Sequence, residues 1–253
     1  MFDSIARMAE ETVRVFDGRV RGIWLYGSVV LNDFRLGWSD IDWLVLTDGP
    51  IPEDRAREML TLRQTLAQRH PENPYYRLFE GIAADADEYR AGSFTRLVYW
   101  GTSGQRITDR YVPDVFSRIE LARYGRCVYG EADRSIFDEP SFDELRGAVR
   151  RHYESVRLYA AETDESLYSC GWLLDIARCI YTLRTHDILS KTRAGIRALE
   201  EHVFPDDEPL RRALEIRRDP PAYKDREDVK RWLKGLGPTV QRYADVLERE
   251  LDI

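Results

Sequence analysis

The chain has 253 residues, with 45 acidic against 38 basic side chains, a net charge of −7 and 43 % apolar residues. That length suits one large domain or two moderate ones with a sizeable core. No apolar run approaches the roughly 20 residues of a bilayer span, and the start Met1-Phe2-Asp3-Ser4 lacks the basic and apolar parts of a signal peptide. An acidic balance without a Lys/Arg block excludes a nucleic-acid backbone as the expected partner. Three cysteines (Cys127, Cys170, Cys179) are too few and too scattered for a disulfide framework, and a reducing cytosol fits them. In chain order, Arg19–Tyr26 reads as a strand followed by Gly27-Ser28 and a short turn or helix, and Ile41–Thr47 reads as a second strand stopped by Asp48-Gly49-Pro50. Pro52-Glu53-Asp54 opens a helix to about Arg69. Tyr76–Ala83 and Phe94–Trp100 are further strand candidates, and Gly101-Thr102-Ser103-Gly104 is a turn. The fold expected for this part is α/β, a small mixed sheet with helices packed on it.

After Tyr111 the pattern turns helical, which predicts an all-α C-terminal bundle. Val112–Tyr124 reads as one helix, and Ser141-Phe142-Asp143-Glu144 is a capping-box start to another that reaches about Ala160. Leu167 to Arg184 carries Leu167, Cys170, Leu173, Leu174, Ala177, Ile180 and Tyr181 at helical spacing. Ser190–Glu201 and Pro238–Leu251 complete the predicted helices. The expected division is residues 1–135 and 136–253.

The chemistry concentrates in Leu25-Tyr26-Gly27-Ser28, eleven intervening residues, then Asp40-Ile41-Asp42-Trp43-Leu44-Val45. Residues i and i+2 of a strand share a face, so Asp40 and Asp42 project together. Carboxylates forced together repel unless a cation or proton sits between them. Magnesium answers that need, because it takes carboxylate and phosphate oxygens and keeps several waters. Gly27-Ser28 offers backbone N–H groups and a hydroxyl to a phosphate. A third acid is expected nearby. Glu80 stands inside the apolar run Leu78-Phe79-Glu80-Gly81-Ile82-Ala83, where an unpaired acid is costly to bury. Asp85, Asp87 and Glu88 follow the run and read as a solvated turn. The four histidines lack metal-ligand spacing.

Gly-Ser, Asp-x-Asp and a distal acid resemble the nucleotidyltransferase superfamily related to DNA polymerase β. Gly171–Tyr181, Leu189–Gly195 and Arg123–Gly130 are similar to segments of its streptomycin/spectinomycin-type aminoglycoside adenylyltransferases. The resemblance implies that Asp40 and Asp42, with Glu80, hold Mg2+ and that Glu80 is also the general base. It implies that Gly27, Ser28 and Ser39 meet the triphosphate of ATP, and that Arg178, Lys191 and Tyr223 help to hold the nucleotide from the helical domain across a cleft. Lys191 stands out independently, because the chain has only four lysines. The family binds the amines or guanidines of its acceptor with an acid-rich run before the long helix. Here Glu162, Asp164 and Glu165 keep an acidic cluster while Leu167-Tyr168-Ser169-Cys170-Gly171 departs from the pattern, and Tyr159 stands where the family often has a stacking tryptophan. The expected reaction transfers AMP to a hydroxyl of a small cationic acceptor. The other expectations carried forward are a different small-molecule or protein hydroxyl as acceptor, and a nucleotide-binding regulator without turnover.

Overall fold

Residues 1–101 and 103–251 are described by the computed structural model. Their contacts form two units, Met1–Val30 with Asp40–Glu139 and Leu31–Ser39 with Pro140–Ile253. The first unit opens with α1 (Phe2–Val15), which buries Ile5, Met8, Ala9, Thr12 and Val15 along one stripe. There follow β1 (Val20–Leu25), α2 (Gly27–Val30), β2 (Ile41–Thr47), α3 (Glu53–Arg69), β3 (Phe79–Asp85), α4 (Ala86–Ala91), β4 (Leu97–Gly101), β5 (Gly104–Thr108), α5 (Val115–Ile119) and β6 (Arg126–Gly130). The strands make one mixed sheet in the order β5-β4-β3-β2-β1-β6. Among the described residues only β2 and β3 pair in parallel, and a parallel pair needs a crossover, which α3 supplies. Alternation then sends Trp43, Phe79 and Trp100 to one face, where the two indoles stack with centroids 5.7 Å apart. Trp24, Leu44, Leu46, Ile82, Leu97 and Phe137 form the core on the other.

Several boundaries differ from the sequence reading, each for a local reason. Tyr76–Leu78 winds into a 3-10 turn before β3 begins. The helix expected over Val112–Tyr124 starts only after Asp114, whose carboxylate accepts from the N–H groups of Phe116 and Ser117, and it widens into a π-turn over Glu120–Tyr124. Asp85 is no solvated acid: it is buried and caps α4 by accepting from Asp87 and Glu88 N–H. Gly101 ends β4 and Gly104 opens β5, with Thr102 of the expected turn outside the described residues.

The second unit holds α6 (Phe142–Tyr159), α7 (Tyr168–Thr185), α8 (Lys191–Glu200), α9 (Glu208–Arg218), α10 (Pro220–Tyr223), α11 (Glu227–Lys234) and α12 (Gly237–Leu251). Ser141 and Glu144 close the expected capping box at the start of α6. α7 is the central helix, packed against α6, α8, α9 and α12, and Cys170, Leu173, Leu174, Ile176, Ala177, Ile180 and Tyr181 are all fully buried. No helix among the described residues is long and apolar enough to cross a membrane, and among the described residues Cys127, Cys170 and Cys179 form no disulfide.

Residues 31–39 depart most from the expected division at 135/136. They lie between the two sequence motifs yet pack with the helices, and the later boundary falls at 139/140. Asp33 explains the attachment. Its carboxylate receives the Arg217 guanidinium at 2.8 Å, both side chains being 3 % exposed, and also accepts the Thr192 N–H near the start of α8. Arg217 lies over the Trp38 ring at 5.2 Å. Removing one partner of a buried pair strands the other charge. Asp33→Ala is therefore expected to cost about 3–5 kcal/mol of unfolding free energy in urea titration, and an unchanged midpoint would remove the role.

Candidate active site

β2 and β3 share the same burial pattern. Every residue of each is buried except the second, Asp42 in one and Glu80 in the other, and both of these are half-buried. The parallel register sets Asp42 directly beside Glu80. Two acids thus stand side by side on the two central strands, each between buried neighbours.

The Gly27-Ser28 turn closes on this point. Tyr26 N–H donates to the Asp42 carbonyl at 3.1 Å, and the Ser28 hydroxyl donates to the Asp40 carbonyl at 3.4 Å. The Ser28 backbone N–H acts to stabilise the Asp42 carboxylate. Gly27 has φ +65°, and a Cβ there would fall 2.0 Å from Asp42 Oδ2, so backbone conformation and side-chain approach both demand glycine. Gly81, at φ +146°, lets β3 approach the Trp43 carbonyl, which a Cβ would meet at 1.8 Å. A Cβ on Gly101 would crowd the Tyr99 hydroxyl and Glu80 Oε1.

Burial pushes the Asp42 carboxyl well above the usual carboxylate range, and the charges of Glu120, Asp40 and Glu80 push it further; the Ser28 N–H works in the opposite direction. Glu120 is the residue the sequence reading missed. It is buried at the first position of the π-turn, between Ile119 and Leu121. The signal that singled out Glu80, an acid inside an apolar run, was present there too. Arg63 on α3 is a second addition: it donates to the Phe79 carbonyl at 2.6 Å. Burial lowers its pKa, while the charges of Glu80 and Asp40 act to keep it protonated.

The other expected site residues lie in the helical unit. Ser39 is buried, and its hydroxyl accepts from Arg35 N–H within the 31–39 segment. Lys191 is the first residue of α8 and donates to Asp175 at 3.0 Å, while Arg178 approaches the same carboxylate at 3.1 Å. The Tyr223 hydroxyl donates to Glu215 at 2.8 Å. Tyr159, at the end of α6, is 68 % exposed. Glu162, Asp164 and Glu165 are exposed in the α6–α7 connection. Asp164 accepts from Ser166 N–H and the Ser169 hydroxyl, and Glu165 lies 4.0 Å from the Lys234 ammonium.

Residues 6–74 match the family model of the nucleotidyltransferase domain, a stretch that contains Gly27-Ser28, Asp40 and Asp42. The match places a nucleotidyltransferase domain within the first part of the chain. The fold is that of the spectinomycin adenyltransferase AAD(9) from Enterococcus faecialis, solved with ATP and spectinomycin: the likeness covers 98 % of this chain and 99 % of that one at a TM-score of 0.62 and 18 % identity. A toxin-antitoxin structure with AMP-PNP matches 60 % of this chain and 94 % of its own at a TM-score of 0.30 and 14 % identity. No curated protein sequence matches the chain.

Proposed function

We propose that the chain is a nucleotidyltransferase that moves AMP from ATP to a hydroxyl of a small cationic acceptor and releases pyrophosphate, with a spectinomycin- or streptomycin-type aminoglycoside as the leading acceptor. The observation that carries the reading is the side-by-side placement of Asp42 and Glu80 on the two central strands, backed by Gly27 and Ser28. Glu80 takes the proton of the acceptor hydroxyl. The hydroxyl oxygen bonds to the α-phosphorus as the bridge to the β-phosphate breaks, and pyrophosphate leaves with that bridging oxygen. Gly27, Ser28 and Ser39 orient the triphosphate, and Lys191, Arg178 and Tyr223 neutralise and hold it.

The carboxylates suit a magnesium ion. Asp42 carries its charge at a cost that Asp40, Glu80 and Glu120 increase, and hard oxygen donors are what Mg2+ takes. Among the described residues no three potential ligands are drawn around one point, so the three carboxylates do not form a closed ligand set, and water and phosphate oxygens would complete the ion's shell. Asp40 and Asp42, with Glu80, would hold it, and when bound it supplies charge neutralisation at the phosphates. For the acceptor, the exposed acids Glu162, Asp164 and Glu165 beside Tyr159 offer negative charge and an aromatic face to amines or guanidines.

The test is pyrophosphate release and product mass with Mg-ATP and a panel of aminoglycosides. A product heavier by one AMP with spectinomycin or streptomycin is expected. Binding of ATP without reaction of any panel member would overturn the acceptor assignment.

A further inference from the structure

We propose that Asp175 is a positioning residue for the nucleotide: one carboxylate on α7 fixes the Lys191 ammonium and the Arg178 guanidinium and keeps Lys191 charged for phosphate. This rests on the reading above in which those two cations meet the triphosphate.

The geometry is specific. Asp175 stands one turn before Arg178 on α7, and Lys191 reaches back from the first residue of α8. The ammonium lies 3.0 Å from each carboxylate oxygen, and Arg178 Nη2 lies 3.1 Å from Oδ1. Exposure rises outward through the group, from 13 % at Asp175 to 18 % at Arg178 and 27 % at Lys191, so the acid is the inner member and the cations the outer ones. A bond whose only task was to tie α8 to α7 would need a single cation; here one acid organises two.

The surroundings explain why the charge of Asp175 matters. Arg217 on α9 also acts on Lys191, and Asp33 of the 31–39 segment is paired with that arginine. His152 on α6 faces Asp175. Burial lowers the Lys191 pKa, Asp175 raises it, and Arg178 and Arg217 lower it again. Burial likewise pushes the Asp175 carboxyl up, but Lys191 and then Arg178 override it and hold it at about 2. Asp175 therefore stays ionised at any working pH, and it is the group that keeps a desolvated lysine protonated beside two arginines.

The experiment measures the Kd for ATP by calorimetry from about pH 6.5 to about pH 9. In the wild type the Kd is expected to be nearly flat. In Asp175→Asn it should rise with pH by about 10- to 100-fold, the value of one charge-assisted bond to phosphate. Asp175→Asn/Lys191→Arg should lose that pH dependence, because arginine does not deprotonate there. A flat, wild-type-like profile in Asp175→Asn overturns the proposal. Should Asp175→Asn not fold, Asp175→Glu keeps the charge and displaces it by one methylene; weaker ATP binding without new pH dependence is expected, and unchanged affinity overturns the proposal. Lys191→Met separates the two readings. If it leaves the Kd unchanged, the phosphate role of Lys191 fails; if it weakens ATP binding while the Asp175 variants do not, only the positioning role fails.

Discussion

Asp42→Asn is expected to make the metal-free protein more heat-stable while removing its transferase activity. Burial, together with the charges of Glu120, Asp40 and Glu80, raises the pKa of Asp42 in the folded state. The sign follows from linkage. A folded-state carboxyl that holds its proton more tightly than the unfolded one stabilises the fold below the unfolded pKa of about 3.9, and that contribution is lost as pH rises through the folded value. Above the folded-state value the wild type therefore bears a crowded carboxylate that asparagine removes without changing shape. Relief of roughly 1 kcal/mol corresponds to about 2–4 °C in Tm for a chain of this size. Calorimetry in chelator across the acid-to-neutral range should show the gain at neutral pH and its disappearance in acid. Added Mg2+ should stabilise the wild type and not the variant. A lower Tm for Asp42→Asn at neutral pH would refute the account of the site as charge crowded for a cation.

Glu80→Gln isolates the proton-transfer step. Glutamine keeps the size and the half-buried position beside Asp42 but cannot accept the acceptor's proton. Turnover should fall by about 10²–10⁴-fold, with the Kd for ATP altered little by comparison. Single-turnover product formation and calorimetric ATP binding, measured on the same preparation, read the two effects separately. Turnover at the wild-type rate would remove Glu80 from the base role.

The site was legible where chemistry interrupts a periodic pattern. β2 was read at its observed limits, and Glu80 stood out because β3 is apolar on both sides of it. The capping box of α6 was legible because Ser141 and Glu144 are three residues apart. Three kinds of feature escaped. β5 and β6 are five-residue strands with mostly exposed or half-buried residues, so no alternation marks them. Glu120 was absorbed into a helical reading that the π-turn alters. Asp33 reads as a polar loop residue, because its partner Arg217 is 184 positions away and no local pattern connects them. The helix α1, by contrast, carries its apolar stripe plainly, and the sequence reading passed over it.

The attachment of residues 31–39 also governs how such a chain can be recombined. The path passes between the two units three times, after Val30, after Ser39 and after Glu139. A chimera joined at the last of these points alone would inherit Arg217, Thr192 and Gly171 from one parent and Asp33 and Trp38 from the other. Functional exchange of the helical part among relatives therefore requires nine residues from between the two N-terminal motifs to travel with it, through two further crossovers after Val30 and Ser39.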